Sequence, residues 1–104
     1  MLDVYIKSNN QDSLIKAFYT IGEENLTEYI PLLLTETHDE RISHNALFKG
    51  ISVYQSKMLA LEKISNLKSP CKLTYQYDSI IVNFYTNWAF NKDNFNKLIK
   101  NEFN

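Results

Sequence analysis

Apolar and polar residues alternate strictly at the start of the chain. Leu2, Val4 and Ile6 stand at every second position, with Asp3 and Tyr5 between them. A period of two is typical of a strand that buries one face. The pattern therefore predicts an N-terminal strand over residues 2–7.

The spacing changes to that of a helix after residue 10. Apolar residues now recur every three or four positions, at Leu14, Ile15, Phe18 and Ile21. This spacing places them on one face of an α-helix. The preceding polar residues offer several N-caps, including a Ser8/Gln11 capping-box spacing. Gly22 stands where a C′ glycine would end the helix.

Residues 25–50 continue the helical pattern less regularly. One helix face would carry Leu26, Tyr29, Ile30, Leu33 and Leu34. Pro31 fits a helix best in its first turn. An edge strand over residues 28–36 is the alternative, but the run of leucines favours a helix. Asp39 fits the N-cap of a further helix that contains Ile42, Ala46 and Leu47.

The order of these segments resembles one helical hairpin of the HEAT-repeat type. The resemblance rests on Ile30–Leu34, Asp39–Ile42 and Ala46–Leu47, and it covers about a quarter of the chain. Repeats of this kind need about three stacked copies for stability, and the sequence shows one. The resemblance therefore implies a local helical hairpin and no function.

An apolar stripe then crosses the middle of the chain. It runs through Leu47, Ile51, Tyr54, Met58, Leu61 and Ile64. The spacing predicts a helix that either continues across Gly50 to about residue 66 or bends at that glycine, which costs about 1 kcal/mol relative to alanine in a helix.

The last third of the chain carries a second alternating pattern. Cys71, Leu73, Tyr75 and Tyr77 stand at every second position, and Asp78-Ser79 forms a short turn before an apolar run from Ile80 to Tyr85. We predict a β-hairpin here, followed by a helix that starts at Asn91 or Asp93 and carries Phe95, Leu98, Ile99 and Phe103 on one side. The whole pattern predicts an α+β fold, in which a small sheet of the N-terminal strand and this hairpin packs against a mostly helical middle and a C-terminal helix.

Composition narrows the class of protein. A chain of 104 residues is expected to form one domain, 1–104, with a core of its own. The start of the chain lacks the basic and apolar regions of a signal peptide, and no apolar run is long enough to span a membrane. We therefore expect a cytoplasmic protein without a membrane partner. Its many residues with AT-rich codons indicate an AT-rich, bacterial or mobile genetic origin.

Few side chains are suited to catalysis or metal binding. The histidines are His38 and His44, and Cys71 is the one cysteine. Structural zinc usually needs four nitrogen or sulfur ligands at short spacings, so we expect no metal site and no other cofactor. Cys71 falls on the apolar phase of its predicted strand, which indicates a buried structural thiol. We therefore expect no enzyme, and an enzyme built on these three residues is a minor hypothesis.

Charge is distributed unevenly along the chain. Residues 1–48 hold eight acids and three bases, whereas residues 49–104 hold four acids and eight bases. Between Lys16 and Arg41 there are six acids and no base. A solvated face is the simplest explanation, and a docking surface for a basic partner is the functional one.

The first functional hypothesis is a protein-binding inhibitor of the immunity or antitoxin type. An acidic surface would occlude the cationic groove of a basic, nuclease-like toxin, with aromatic residues as anchors. We assign this surface to Glu23, Glu24, Glu28, Glu36, Asp39, Glu40, Tyr29, Tyr85 and Trp88. The neighbouring Phe84 and Phe90 are assigned to the core.

The alternative is a nucleic-acid-binding regulatory protein. Its basic C-terminal half would present a tyrosine-bearing sheet on which bases stack. Against it, the chain as a whole is not basic, and no aromatic RNA-motif signature surrounds Tyr75 or Phe84. Nucleic acid is therefore not the expected partner.

Overall fold

The computed structural model describes residues 2–48 and 50–103, with the side chains of all of these except Asp3 and residues 92–103. Its helices are α1 (Leu2–Ser8), α2 (Gln11–Glu23), α3 (Ile30–Leu33), α4 (Val53–Ser65) and α5 (Ser79–Phe103), and a 3₁₀ turn at Thr27–Tyr29 precedes α3. Within this described part no strand forms, and one isolated β-bridge joins Ile42 to Ser52. The predicted α+β class is therefore wrong, and the described chain is all-α.

Helices α2 and α4 form the centre of the core. Both have the predicted apolar spacing, and α2 buries Leu14, Ile15, Phe18 and Ile21, while α4 buries Val53, Tyr54, Met58 and Leu61. The helix predicted after residue 10 is confirmed. Its N-cap is Asn10, whose side-chain oxygen accepts hydrogen bonds from the amides of Asp12 and Ser13. That oxygen satisfies two of the four amides that lack a partner inside the helix.

Gly22 has a packing role that differs from the predicted helix stop. It lies inside α2, which ends one residue later, at Glu23. A β-carbon at this position would lie 2.9 Å from the Cα of Ala60 on α4. The absence of a side chain therefore lets the two helices approach closely.

The N-terminal strand is replaced by helix α1. Leu2 and Ile6 are spaced i, i+4, so they share one face of a helix, and both pack half-buried against the core. Val4 falls on the other face and is 65% exposed. A short alternating pattern fits both periods, and here the packing against α2 is that of a helix.

The helical hairpin between residues 30 and 47 does not form. Helix α3 is a single turn with Pro31 at its start, as predicted for that proline, and the edge-strand alternative is wrong. Asp39 does not begin a helix, because its carboxylate accepts hydrogen bonds from Arg41. The first connection is the chain from 34 to 52, and its described residues, 34–48 and 50–52, are irregular apart from the Ile42–Ser52 bridge.

Helix α4 begins three residues after Gly50, at Val53. Ser52 caps it by accepting a hydrogen bond from the amide of Gln55, and the carbonyls of Arg41 and Asp39 accept from the amides of Val53 and Tyr54. Gly50 has a φ of +84°, a left-handed conformation, so the predicted helix neither continues across this glycine nor bends at it. The stripe is helical only from Tyr54 onward, because α4 begins at Val53.

The β-hairpin is replaced by an irregular connection and the start of α5. Residues 66–78, the second connection, form no regular element. Asp78 caps α5 through its side chain, which accepts from the amide of Ile80. Ile81, Val82 and Tyr85 are all buried on one side of the helix, whereas a strand would place Val82 on the face opposite to Ile81 and Tyr85. The predicted C-terminal helix exists but starts at Ser79, and its predicted side with Phe95, Leu98, Ile99 and Phe103 lies outside the described side chains.

Among the described residues, none of the helices combines the length and the apolar character needed to cross a bilayer.

Candidate protein-binding surface

Half of the acidic residues assigned to the binding surface are engaged within the protein. Glu23 forms an ion pair with Lys63 of α4, and Asp39 pairs with Arg41 at 2.7 Å. The carboxylate of Glu40 accepts a hydrogen bond of 2.7 Å from the amide of Tyr77. These three side chains hold the two connections and the end of α2 in place, which reduces the negative charge available to a partner.

The other three acids are exposed. Glu24 caps the C-terminus of α2, Glu28 lies in the 3₁₀ turn, and Glu36 follows α3. No hydrogen bond or ion pair to their side chains is present among the described residues. The segment 24–36, which we call the acidic segment, contains no basic residue. It is the part of the predicted surface that offers free carboxylates to solvent.

The three aromatic residues assigned to the surface lie at different depths. Tyr29 is half-buried within the acidic segment, and Trp88 is half-buried against the core. Tyr85 is fully buried, and its hydroxyl donates a hydrogen bond of 2.9 Å to the carbonyl of Leu67. Burial raises the pKa of this phenol. Tyr85 therefore packs the core and has no surface to offer a partner.

Phe84 and Phe90 on α5 were both assigned to the core from the sequence. Phe84 packs half-buried against the core, in agreement with its core assignment. Phe90 is 65% exposed, so its assignment to the core is wrong, because it falls on the outer face of helix α5.

An apolar cleft lies between α2, α4 and the first connection. Its volume is about 400 Å³. Ile15 and Tyr19 line it from α2, Leu47 and Phe48 from the first connection, and Leu59 and Lys63 from α4. The rings of Tyr19 and Phe48 pack with centroids 5.4 Å apart. The sequence pattern did not indicate this cleft, since Leu47 and Phe48 were expected within helices.

One charged pair stands at the edge of the cleft. The ammonium group of Lys63 lies 4.8 Å from the centroid of the Tyr19 ring and pairs with Glu23. Leu47 is 84% exposed and Tyr19 is 49% exposed. Apolar side chains beside charged groups are typical of protein interfaces, whose apolar centres have polar rims.

The residues considered for catalysis are arranged unfavourably for it. Cys71 is exposed, not buried as predicted, because the strand that would have buried it does not form. Its thiol donates a hydrogen bond of 3.4 Å to Asp78. Local desolvation and then this carboxylate raise the pKa of the Cys71 thiol, whereas a nucleophilic cysteine needs a stabilised thiolate.

Neither histidine is hydrogen-bonded to the Cys71 thiol as a catalytic base would be, among the bonds of the described residues. His38 stacks on the ring of Tyr77 with centroids 3.8 Å apart, and the backbone amide of His44 donates to Asp12. Over the residues that the structure describes, no three His, Cys, Asp or Glu side chains are grouped to hold a metal ion. The tyrosine-bearing sheet of the nucleic-acid hypothesis is also missing there, and Tyr75 and Tyr77 lie on the second connection.

Comparisons with models of protein families, with curated proteins and with solved structures find no match for this chain.

Proposed function

We propose that the chain is a non-catalytic, protein-binding inhibitor of the immunity or antitoxin type, which neutralises a basic, nuclease-like toxin in the cytoplasm. The observation that carries the proposal is the acidic segment, residues 24–36, which exposes three carboxylates and contains no basic residue. The nucleic-acid alternative has lost the sheet on which it rested, because no strand forms among the described residues.

The mechanism is occlusion of a cationic groove. A nuclease groove presents Lys and Arg side chains to phosphates, and these can bind the carboxylates of Glu24, Glu28 and Glu36 instead. Complementary charge accelerates encounter and selects the partner. Tyr29 lies within the same segment, half-buried, and its ring edge supplies apolar contact beside the carboxylates.

The test uses the product of the reading frame adjacent to the gene of this chain. The two proteins are co-expressed, and complex formation, association rate and nuclease activity are measured. The triple variant Glu24→Gln, Glu28→Gln, Glu36→Gln is expected to bind at least about tenfold more weakly, since several interface charges are removed. It should also associate more slowly, and its binding should depend less on salt.

A matched control separates local charge from net charge. Val4→Lys, Ile80→Lys and Asn83→Lys together change the net charge by the same amount, at positions that are exposed and lie outside the acidic segment. This control should keep full inhibition. Absence of a stoichiometric complex with the adjacent product, or undiminished binding by the triple Gln variant, would contradict the proposal.

A further inference from the structure

The cleft between α2, α4 and the first connection is large enough to receive a bound group. Its volume of about 400 Å³ lies within the range of about 300–1,000 Å³ found for ligand sites. One wall comes from an irregular connection, and long ordered connections of this kind are usually functional.

The apolar surface continues outside the cleft. Leu47 on its edge is 84% exposed, and Tyr19 is 49% exposed. A small-molecule site encloses most of its ligand within its own walls. An exposed apolar patch with charged groups beside it is instead typical of a protein interface. The shape therefore favours a segment of a protein over a small molecule.

The edge of the cleft already holds an ammonium group. The Nζ atom of Lys63 is paired with Glu23 and lies 4.8 Å from the Tyr19 ring centroid. A carboxylate beside an aromatic face is an arrangement that attracts cations. The carbonyls at this end of α2 add partial negative charge, and the last turn of the helix contains no basic residue of its own. This edge is complementary to a basic partner, for which Lys63 is an internal competitor.

We propose that the cleft receives a short apolar segment of a basic protein. A large aliphatic or aromatic side chain of that segment lies in the cleft under Leu47. A neighbouring Lys or Arg replaces Lys63 beside Glu23 and Tyr19. This inference rests on the proposed function, because the segment belongs to the basic partner described there.

The experiment starts from peptides selected for binding. Random peptides displayed on phage are selected on the purified full-length chain, and the enriched sequences are synthesised with a fluorescent label. Their Kd is measured by fluorescence anisotropy for the unchanged chain and for Leu47→Asp, Lys63→Met and Ile80→Asp. Ile80 is 62% exposed on α5 and serves as the matched control for an apolar-to-acidic change outside the cleft.

The expected results differ in direction between the variants. Enriched peptides should combine a large apolar residue with Lys or Arg. Leu47→Asp should weaken binding by about tenfold or more, as expected for a central contact, while Ile80→Asp should change it less than about twofold. Lys63→Met keeps the aliphatic stem and removes the competing charge, so it should tighten binding by roughly threefold.

Three outcomes would overturn the inference. The first is a selection that enriches no common peptide sequence, or one whose peptides bind the Leu47→Asp variant as tightly as the unchanged chain. The second is binding of octanoate that Lys63→Met weakens, because the occupant is then an amphipathic anion. The third is a dimer of the chain that Leu47→Asp dissociates, because a second copy then fills the cleft.

Failure of this inference can be told apart from failure of the proposed function. If Leu47→Asp inhibits the adjacent product fully while the triple Gln variant of the acidic segment does not, the function stands and the cleft is not its docking site. If neither variant affects any partner, both proposals fall.

Discussion

Two regions of the molecule are held together by different kinds of interaction. One is the contact between helices α2 and α4, and the other is the first connection, residues 34–52. The helices meet through buried apolar side chains and the close approach at Gly22. The first connection is held mainly by polar bonds to other elements. The guanidinium of Arg41 donates to Asp39 and to both the carbonyl and side-chain oxygens of Asn9.

Two further polar groups tie the first connection to the helices. The carboxylate of Asp12 accepts from the hydroxyl of Ser43 and the amide of His44. The hydrogen bond from Ser43 is the largest influence that lowers the pKa of Asp12. From α4, the buried ammonium of Lys57 donates to the carbonyls of Thr35 and Glu36. Apolar burial thus organises the helices, and side-chain hydrogen bonds between distant residues organise the connection.

The sharpest test of this difference uses the two glycines of the chain. Gly22→Val would place new carbons against the Cα of Ala60, because a β-carbon alone would lie 2.9 Å from it. We expect the free energy of unfolding to fall by about 3 kcal/mol, at the upper end of overpacking costs. Urea denaturation followed by circular dichroism measures this loss.

Gly50 provides the contrast within the first connection. A β-carbon there meets nothing within 4 Å, and the residue has a φ of +84°. Gly50→Ala should therefore cost about 1 kcal/mol through backbone strain alone, and Gly50→Asn should cost less, since Asn tolerates this conformation. Equal costs for Gly22→Val and Gly50→Ala would mean that the helix contact is not tightly packed.

The same difference explains which parts of the fold could be predicted. Burial of Phe18 and Met58 follows a helical period that the sequence displays directly. Leu2 and Ile6 are separated by four residues, a spacing that suits both a strand and a helix. The bond between Arg41 and Asn9 joins residues far apart in the chain and leaves no period, so the first connection could not be predicted.

The candidate surface was predictable to a similar extent. The exposed carboxylates of Glu24, Glu28 and Glu36 lie in a segment whose charge pattern is visible in the sequence. Pairing of Glu23 with Lys63 and of Glu40 with Tyr77 depends on how distant segments pack. The cleft depends on the path of the first connection, which no local pattern indicates.

A second prediction extends the comparison to two buried tyrosines. The hydroxyl of Tyr85 donates to the carbonyl of Leu67 and so ties the second connection to α5. Tyr85→Phe should lower the free energy of unfolding by about 1 kcal/mol, because the hydrogen bond between the buried tyrosine and the Leu67 carbonyl is lost. Thermal and urea unfolding measure the change.

Tyr54→Phe is the matched control. The Tyr54 hydroxyl is buried without a hydrogen bond of good geometry among the described residues, and burial raises its pKa to about 12. Its removal should be neutral or slightly stabilising. A loss as large as that of Tyr85→Phe would show that the Tyr54 hydroxyl has a partner in solution.

A third prediction concerns the fork of Arg41. Arg41→Ala removes its bonds to Asp39 and Asn9, and because the side chain is 42% exposed, solvent screening limits the loss to about 0.5–1 kcal/mol. The local effect should be larger, with faster amide exchange across the first connection. Arg41→Lys keeps the charge but not the planar guanidinium group, so its stability should be that of Arg41→Ala. If Arg41→Lys is instead as stable as the unchanged chain, charge rather than hydrogen-bond geometry holds the first connection.

The smallest expected effect tests whether ionisation stabilises the first connection. The hydrogen bond from Arg41 lowers the pKa of Asp39 below its ordinary value of 3.8. The folded protein therefore binds this proton less readily than the unfolded chain. The stabilisation is complete above the ordinary pKa and is lost as the pH falls through the lowered one.

Asp39→Asn should accordingly be slightly less stable at neutral pH and should lose less stability between about pH 4 and pH 2. Urea denaturation at a series of pH values measures this slope, with Glu24→Gln as the control because its carboxylate is exposed and makes no described bond. An unchanged slope in Asp39→Asn would show that ionisation of Asp39 does not stabilise the folded protein. The first connection would then depend on hydrogen-bond geometry rather than on charge, which would bring it closer to the α2–α4 contact, where shape alone decides the fit.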